Sequence, residues 1–245
     1  MIRTLWVAFI GAFTTSVLSL HIILAQRFKW ARTLKRICWT HPRWWASSLL
    51  WASGVKVEFV GLERLRTPGP KVVVLNHESW FEVLALAGKL PVEYRFVAKK
   101  ELEKVPLWGL AWQACGHISV DRRNNQAAVG ALERAKASTD DLGDGAIAMI
   151  MFPEGTRSPD GSLMPFKKGA FVLAIQLGAP IIPAAVVGSR RIMPKGEWRI
   201  RSGTVRIEFG EPIGTDALEY GDRDKLAVRS RAAVAALRGG EGPTS

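Results

Sequence analysis

The chain has 245 residues, with 34 Lys and Arg against 22 Asp and Glu and a formal net charge of +12. That length accommodates one α/β domain with a sizeable core plus an appendage, and the charge predicts attraction to polyanions: a membrane surface, phosphorylated substrates or nucleic acid. The two cysteines, Cys38 and Cys115, have neither metal spacing nor a CxxC arrangement, which argues against a thiolate metal site or dithiol motif and makes a reducing cytosolic face the simplest compartment.

Leu5 to Ala25 contains no charged residue. As a helix it would be about 31 Å long, enough to cross a ~30 Å hydrocarbon core. Thr14, Thr15, Ser16, Ser19 and His21 dilute the run. Three readings stay open: a spanning helix, a helix half-embedded without crossing, and a cleaved signal peptide, the last disfavoured by the length and the basic residues that follow. Gln26–Arg43 carries Arg27, Lys29, Arg32, Lys35, Arg36 and Arg43 and no acid. On a helical wheel Trp30, Ala31, Leu34, Ile37 and Cys38 share one face, opposite Lys29, Arg32, Lys35 and Arg36. This predicts an interfacial helix on anionic lipid, with Trp39, Trp44, Trp45 and Trp51 at headgroup level. The alternative is an ordinary surface helix packed on the domain. If the first segment spans, these charges hold everything after it in the cytoplasm.

The globular part starts near Gly54. Val55, Val57 and Phe59 alternate with Lys56 and Glu58, as in a half-buried strand. Thr67–Pro70 is a turn, and Val72–Leu75 reads as a short buried strand that stops at Asn76-His77. Phe81, Leu84 and Ala85 have helical spacing, so His77 sits where strand hands over to helix. Tyr94–Ala98 is a strand delivering Lys99 and Lys100, Val105–Cys115 a short helix, and Ile118–Val120 a brief strand running into Asp121-Arg122-Arg123. Asn124 caps a helix through Ala135. Ala146–Phe152 is a second strongly apolar strand, left by Pro153-Glu154-Gly155-Thr156-Arg157. Lys167–Leu177 is helical, Ile181–Val187 and the Val205/Ile207/Phe209 alternation are strands, and a helix near Asp222–Leu237 precedes the tail. Strands alternating with helices predict an α/β fold: a mostly parallel central sheet flanked by helices on both faces.

Three loops follow strands and carry polar side chains directly after apolar runs: Asn76-His77, Asp121-Arg122 and Glu154-Gly155-Thr156-Arg157. In a parallel sheet such loops converge on one edge, where ligands collect. Within one helix His77 and Glu82 would face away from each other. With His77 still in the loop, Glu82 can fold back, accept one imidazole N–H and support a general base. Arg122 and Arg157 offer planar forks matching phosphate oxygens, Gly155 permits close approach of backbone, and Lys99 is a further positive contact. Taken singly, each basic residue is more simply a surface ion pair or a solvated side chain.

These stretches resemble the glycerophospholipid acyltransferase family, within it the bacterial 1-acylglycerol-3-phosphate acyltransferases. The family's Asn-His-x-Ser-x-x-Asp block corresponds to Asn76–Glu82, with glutamate in place of the usual aspartate. Its glycine-to-arginine block corresponds to Gly116–Arg122, its Phe-Pro-Glu-Gly-Thr-Arg-Ser block is complete at Phe152–Ser158, and its apolar pair before proline is Ile181-Ile182-Pro183. The resemblance implies catalysis by His77 and Glu82. It implies acceptor binding by Lys99, Arg122, Glu154, Gly155, Thr156 and Arg157, and acyl transfer from acyl-CoA or acyl-carrier protein to the sn-2 hydroxyl of lysophosphatidic acid, with no metal or other cofactor. Residues 1–52 would be membrane-anchoring helices, 53–238 the catalytic domain and 239–245 a disordered tail, placed at an anionic cell inner membrane on its cytoplasmic side. Competing readings keep the chemistry on another lysophospholipid, an ornithine-lipid precursor or glycerol 3-phosphate, or make the chain a non-catalytic basic membrane-binding protein. Nucleic acid is disfavoured as a partner because the basic cluster is interleaved with an apolar anchor. His117, inside the second block, reads as structural.

Overall fold

The computed structural model describes residues 1–120 and 145–239. Asp121, Arg122, the expected helix from Asn124 to Ala135 and the tail beyond Gly239 lie outside the described residues.

Two long helices come first, α1 (Ile2–Arg27) and α2 (Ala31–Ser53). The strands are β1 (Val55–Val60), β2 (Gly69–Leu75), β3 (Glu93–Lys99), β4 (Ile118–Val120), β5 (Ala146–Met151), β6 (Ile181–Val187) and β7 (Gly203–Phe209). Among them lie α3 (Phe81–Lys89), α4 (Trp108–Ala114), α5 (Gly169–Leu177), the single turn α6 (Ser189–Ile192) and the closing helix α7 (Arg223–Gly239). The sheet order is β1-β7-β6-β2-β5-β3-β4. Among the described strands only the β6–β7 pairing is antiparallel, so β1 and β7 run against the other five. The C-terminal ends of β2 to β6 therefore lie along one edge.

The pleat of β2 shows why the sheet needs helices on both faces. Val73 and Leu75 belong to a core shared with Leu49 and Leu50 of α2 and with Phe81 and Leu86 of α3. Val72 and Val74 point the other way, into a core with Phe171 and Leu173 of α5 and Leu226 of α7. A strand buried on both faces reads as an unbroken apolar run, which is what Val72–Leu75 shows in sequence.

The hairpin of α1 and α2 is part of this packing. Thr4 Oγ1 accepts the main-chain N–H of Ile200 at 3.0 Å, and Trp45 Nε1 donates to Thr15 Oγ1 at 2.9 Å. Further along, Ile22 and Ala25 pack with Ala111 and Cys115 of the α4 region. Both ends of α1 thus rest on the domain. Its outer side is an apolar stripe, Leu5, Phe9, Phe13, Val17, Leu20 and Leu24, all exposed. Their spacing of three and four residues keeps them on one face.

Part of the apolar face expected for the basic helix turns inward instead of toward lipid: Ile37 is buried, and Leu34 and Cys38 pack with Ile22 and Ala111, whereas Trp30 and Ala31 stay exposed. Arg43 departs from the expected lipid-facing set as well. It donates to the carbonyls of Leu90 and Val92 at 3.2 and 2.8 Å and lies over the Trp39 ring. Carbonyls at the end of α3 lack helical partners, so a guanidinium there satisfies them. Arg27, Lys29, Arg32, Lys35 and Arg36 remain exposed.

Candidate active site

The site begins where β2 runs out of ladder. Asn76 substitutes its amide for one more rung: Oδ1 accepts the Val186 N–H at 2.8 Å and Nδ2 donates to the Val186 carbonyl at 2.9 Å. This pins the chain to β6 and leaves His77 in the turn before α3. Because His77 precedes the helix, Glu82 in the first turn folds back, and its Oε1 lies 2.7 Å from His77 Nδ1. The carboxylate is wholly buried and also accepts main-chain N–H groups of Glu78 at 2.6 Å and Ser79 at 2.9 and 3.0 Å. With Nδ1–H given to Glu82, Nε2 keeps the lone pair. The imidazole stacks on Phe152 at 4.2 Å between centroids and is 16% exposed.

The second loop closes over the first. After β5, Gly155 takes φ +78°, a left-handed turn open to glycine without strain. Glu154 is buried and divides its oxygens between two amides: Oε1 accepts the His77 N–H at 2.6 Å, Oε2 the Met164 N–H at 2.9 Å. Each oxygen accepts one main-chain N–H, so the residue ties the His77 turn to the loop after β5. Arg157 lies 5.4 Å over the exposed Trp80 ring, close to the turn, and Thr156 is exposed within reach of Lys195 Nζ at 3.3 Å. No motif marks Lys195. Lys99 is exposed at the end of β3, and β5 stands between β3 and β2, so its Cα is about 10 Å from the β2 axis. It belongs to the edge but makes no contact with the His77–Glu82 pair.

A further carboxylate, Glu78, escapes sequence reasoning because it occupies a variable position of the first block. It is buried, hydrogen-bonded by Asn76 Nδ2 at 3.2 Å and paired with Arg238 of α7 at 2.7 Å. Burial pushes its carboxyl up from 4.5 to about 7, with Arg238 pulling down and Glu82 and Glu154 pushing up. A folded value above the unfolded one means proton uptake on folding. Glu78 therefore favours the folded state below about 4.5, and that contribution is lost as pH rises to about 7. Burial likewise raises the Glu154 carboxyl, while its two amide donors lower it.

Between the hairpin and the domain lies a cavity of about 440 Å³, lined among others by Leu18, Trp45, Val83, Leu84, Trp108 and Trp112. Trp80 reaches it too, three residues after His77. No motif marked this cavity, since it assembles from segments some 90 residues apart. His117 is in its wall, half-buried against Trp112 at 4.4 Å between centroids, and accepts the Phe96 N–H through Nδ1 at 3.3 Å. Burial, helped by Arg95, pushes its imidazole down to about 3, so it stays neutral, as a structural residue should.

Cys115 also lines the cavity and is joined to Cys38 by a disulfide that spans 77 residues of sequence. The inference of a reducing compartment from cysteine usage is therefore withdrawn. Spacing alone carried no sign of a pairing made by the docking of α2 on α4.

The acyltransferase family profile matches residues 56–187, more than half of the chain. The chain belongs to the acyltransferase family. The match runs from β1 to the end of β6, so the family portion of this acyltransferase holds His77, Glu82 and the Glu154–Arg157 turn, whereas the α1–α2 hairpin and α7 lie outside it. A 1-acyl-sn-glycerol-3-phosphate acyltransferase of Limnanthes alba is 34% identical over 168 residues, covering 69% of this chain and 58% of that protein. The human 1-acyl-sn-glycerol-3-phosphate acyltransferase alpha is also 34% identical, over 180 residues that cover 73% of this chain and 62% of the relative. The chain thus spans about three fifths of these relatives' length. The crystal structure of the 1-acyl-sn-glycerophosphate (LPA) acyltransferase PlsC from Thermotoga maritima has the same fold, with a TM-score of 0.76 and 24% identity over 99% of each chain. That likeness includes the helical hairpin.

Proposed function

We propose that this acyltransferase transfers an acyl group from an acyl thioester, acyl-CoA or acyl-carrier protein, to the sn-2 hydroxyl of lysophosphatidic acid, giving phosphatidic acid. The observation that carries the reading is the His77 Nδ1–Glu82 contact of 2.7 Å beside an apolar cavity. Nε2 takes the proton of the acceptor hydroxyl while its oxygen attacks the thioester carbonyl. The tetrahedral intermediate then collapses, the C–S bond breaks, and the departing thiolate takes that proton back from the imidazolium. Glu82 favours the imidazolium in between. The step balances without a cofactor. The apolar cavity suits an acyl chain, and Arg157 with the Gly155–Thr156 turn suits the acceptor phosphate; Lys99 at the same edge is retained as a candidate, as are Glu154 and, on the family blocks alone, Arg122.

The chain would work on an anionic membrane, a cell inner membrane, with the hairpin half-embedded. Docking of α1 at both ends and its exposed apolar stripe support embedding over crossing.

Release of thiol from acyl-CoA by lipid-reconstituted protein should depend on added lysophosphatidic acid. An acceptor panel separates this from another lysophospholipid, an ornithine-lipid precursor or glycerol 3-phosphate. No release with any donor would favour the binding-protein reading. Arg157→Ala is expected to raise the acceptor KM by about tenfold or more, the weight of a lost hydrogen bond to a charged group. A change confined to the thioester KM would remove Arg157 from the acceptor site.

A further inference from the structure

Helix α7 lies outside the family portion, yet two of its side chains reach the site's loops. Arg231 and Arg238 are seven residues apart, two turns, and so share a face. Arg231 donates to the carbonyls of Leu163 and Met164 at 2.6 and 3.1 Å, and Met164 N–H in turn holds Glu154. Arg238 Nη2 bridges the two loops, lying 2.7 Å from Glu78 Oε1 and 2.7 Å from the Gly161 carbonyl. Glu78, Glu82 and Glu154 are all buried around a single imidazole. Without a counter-charge, three such carboxylates repel one another and disfavour the compact turn.

We propose that Glu78 and Arg238 form a positioning pair that holds the His77 turn against the Glu154 loop and balances the buried carboxylates there. The pair acts through His77 and Glu82 and touches no reacting atom. The charged groups facing Glu78 are Glu82 from α3, Glu154 from the loop after β5 and Arg238 from α7. Nearby, Arg190 of α6 bonds the Pro159 carbonyl at 3.2 Å, and Asp160 is engaged by Ser158 and Ser162 within its own turn. Arg238 therefore supplies the direct ion pair to Glu78.

The inference rests on the transfer reading above, and its test compares Arg238→Met, Glu78→Gln and the double variant in full-length, lipid-reconstituted protein. Arg238→Met is expected to lower kcat at alkaline pH by about tenfold or more, with little change in either KM, because an ionised Glu78 left buried without its partner is costly. The loss should shrink toward neutral pH and below, where the buried carboxyl takes up a proton and needs no counter-charge. Glu78→Gln in the same chain should restore most of the alkaline rate and remove that pH dependence, because the amide needs no counter-charge. Additive losses, or an Arg238→Met profile equal to wild type, overturn the proposal. Thermal melts give the same comparison without turnover: Arg238→Met should lower the midpoint, and Glu78→Gln should recover it. If Arg238→Met does not fold and the double variant also fails, the arginine's role is not through Glu78 and the proposal falls. Inactive wild type would sink the transfer reading, while the melts still decide the pair.

Discussion

His77→Ala is expected to lower acyl transfer by about 10²–10⁴-fold, the usual contribution of a positioned general base. The loss should fall on kcat rather than on either KM. Nothing in the geometry gives the imidazole a binding role: its Nδ1 is held by Glu82, its ring rests on Phe152, and Nε2 is left for the reacting hydroxyl. The fold should survive, because the loop stays tied through main chain, His77 N–H to Glu154 and the His77 carbonyl to Ser158 N–H at 2.7 Å. Thiol release measured with saturating acceptor and donor checks this. A variant retaining a tenth or more of the rate would remove His77 from the role of base.

Glu82→Gln is expected to cost nearly as much, about 10³–10⁴-fold, as in other sites where a buried carboxylate sets the tautomer of a catalytic imidazole. The amide is isosteric but cannot offset the imidazolium charge. It also turns an N–H₂ toward donors that need an acceptor, the amides of Glu78 and Ser79 and the Nδ1–H of His77. One unsatisfied buried donor costs about 1–3 kcal/mol, so a lower melting temperature should accompany the lost rate. The pair reads as one unit if His77→Ala/Glu82→Gln is no worse than His77→Ala alone. Fully additive losses would show that Glu82 acts apart from His77.

Particular residues show how far the chain could be read in advance. Val72–Leu75 and Ala146–Met151 were legible as buried strands because both faces of a parallel strand demand apolar side chains. The His77–Glu82 contact was legible because a spacing of five has only one productive geometry when the first residue precedes the helix. The main-chain partners of Glu154 were not: a motif shows that a carboxylate is present but not which amides its oxygens accept. The direction of the Leu34/Ile37/Cys38 face was not legible either. An amphipathic wheel is the same whether the apolar side meets lipid or protein, and only the docking of α1 and α4 decided it.

Sequence by itself determined the elements, the order in which polar turns follow buried strands, and the local pairing of an imidazole with a carboxylate, since these depend on residues within a turn or two of one another. Tertiary structure alone decided the apolar cavity, the Cys38–Cys115 link, the inward turn of Arg43 and the reach of Arg238 to Glu78. Each of these joins residues far apart in the chain. Their meeting depends on how whole helices seat on the sheet, a global packing outcome that no local pattern records.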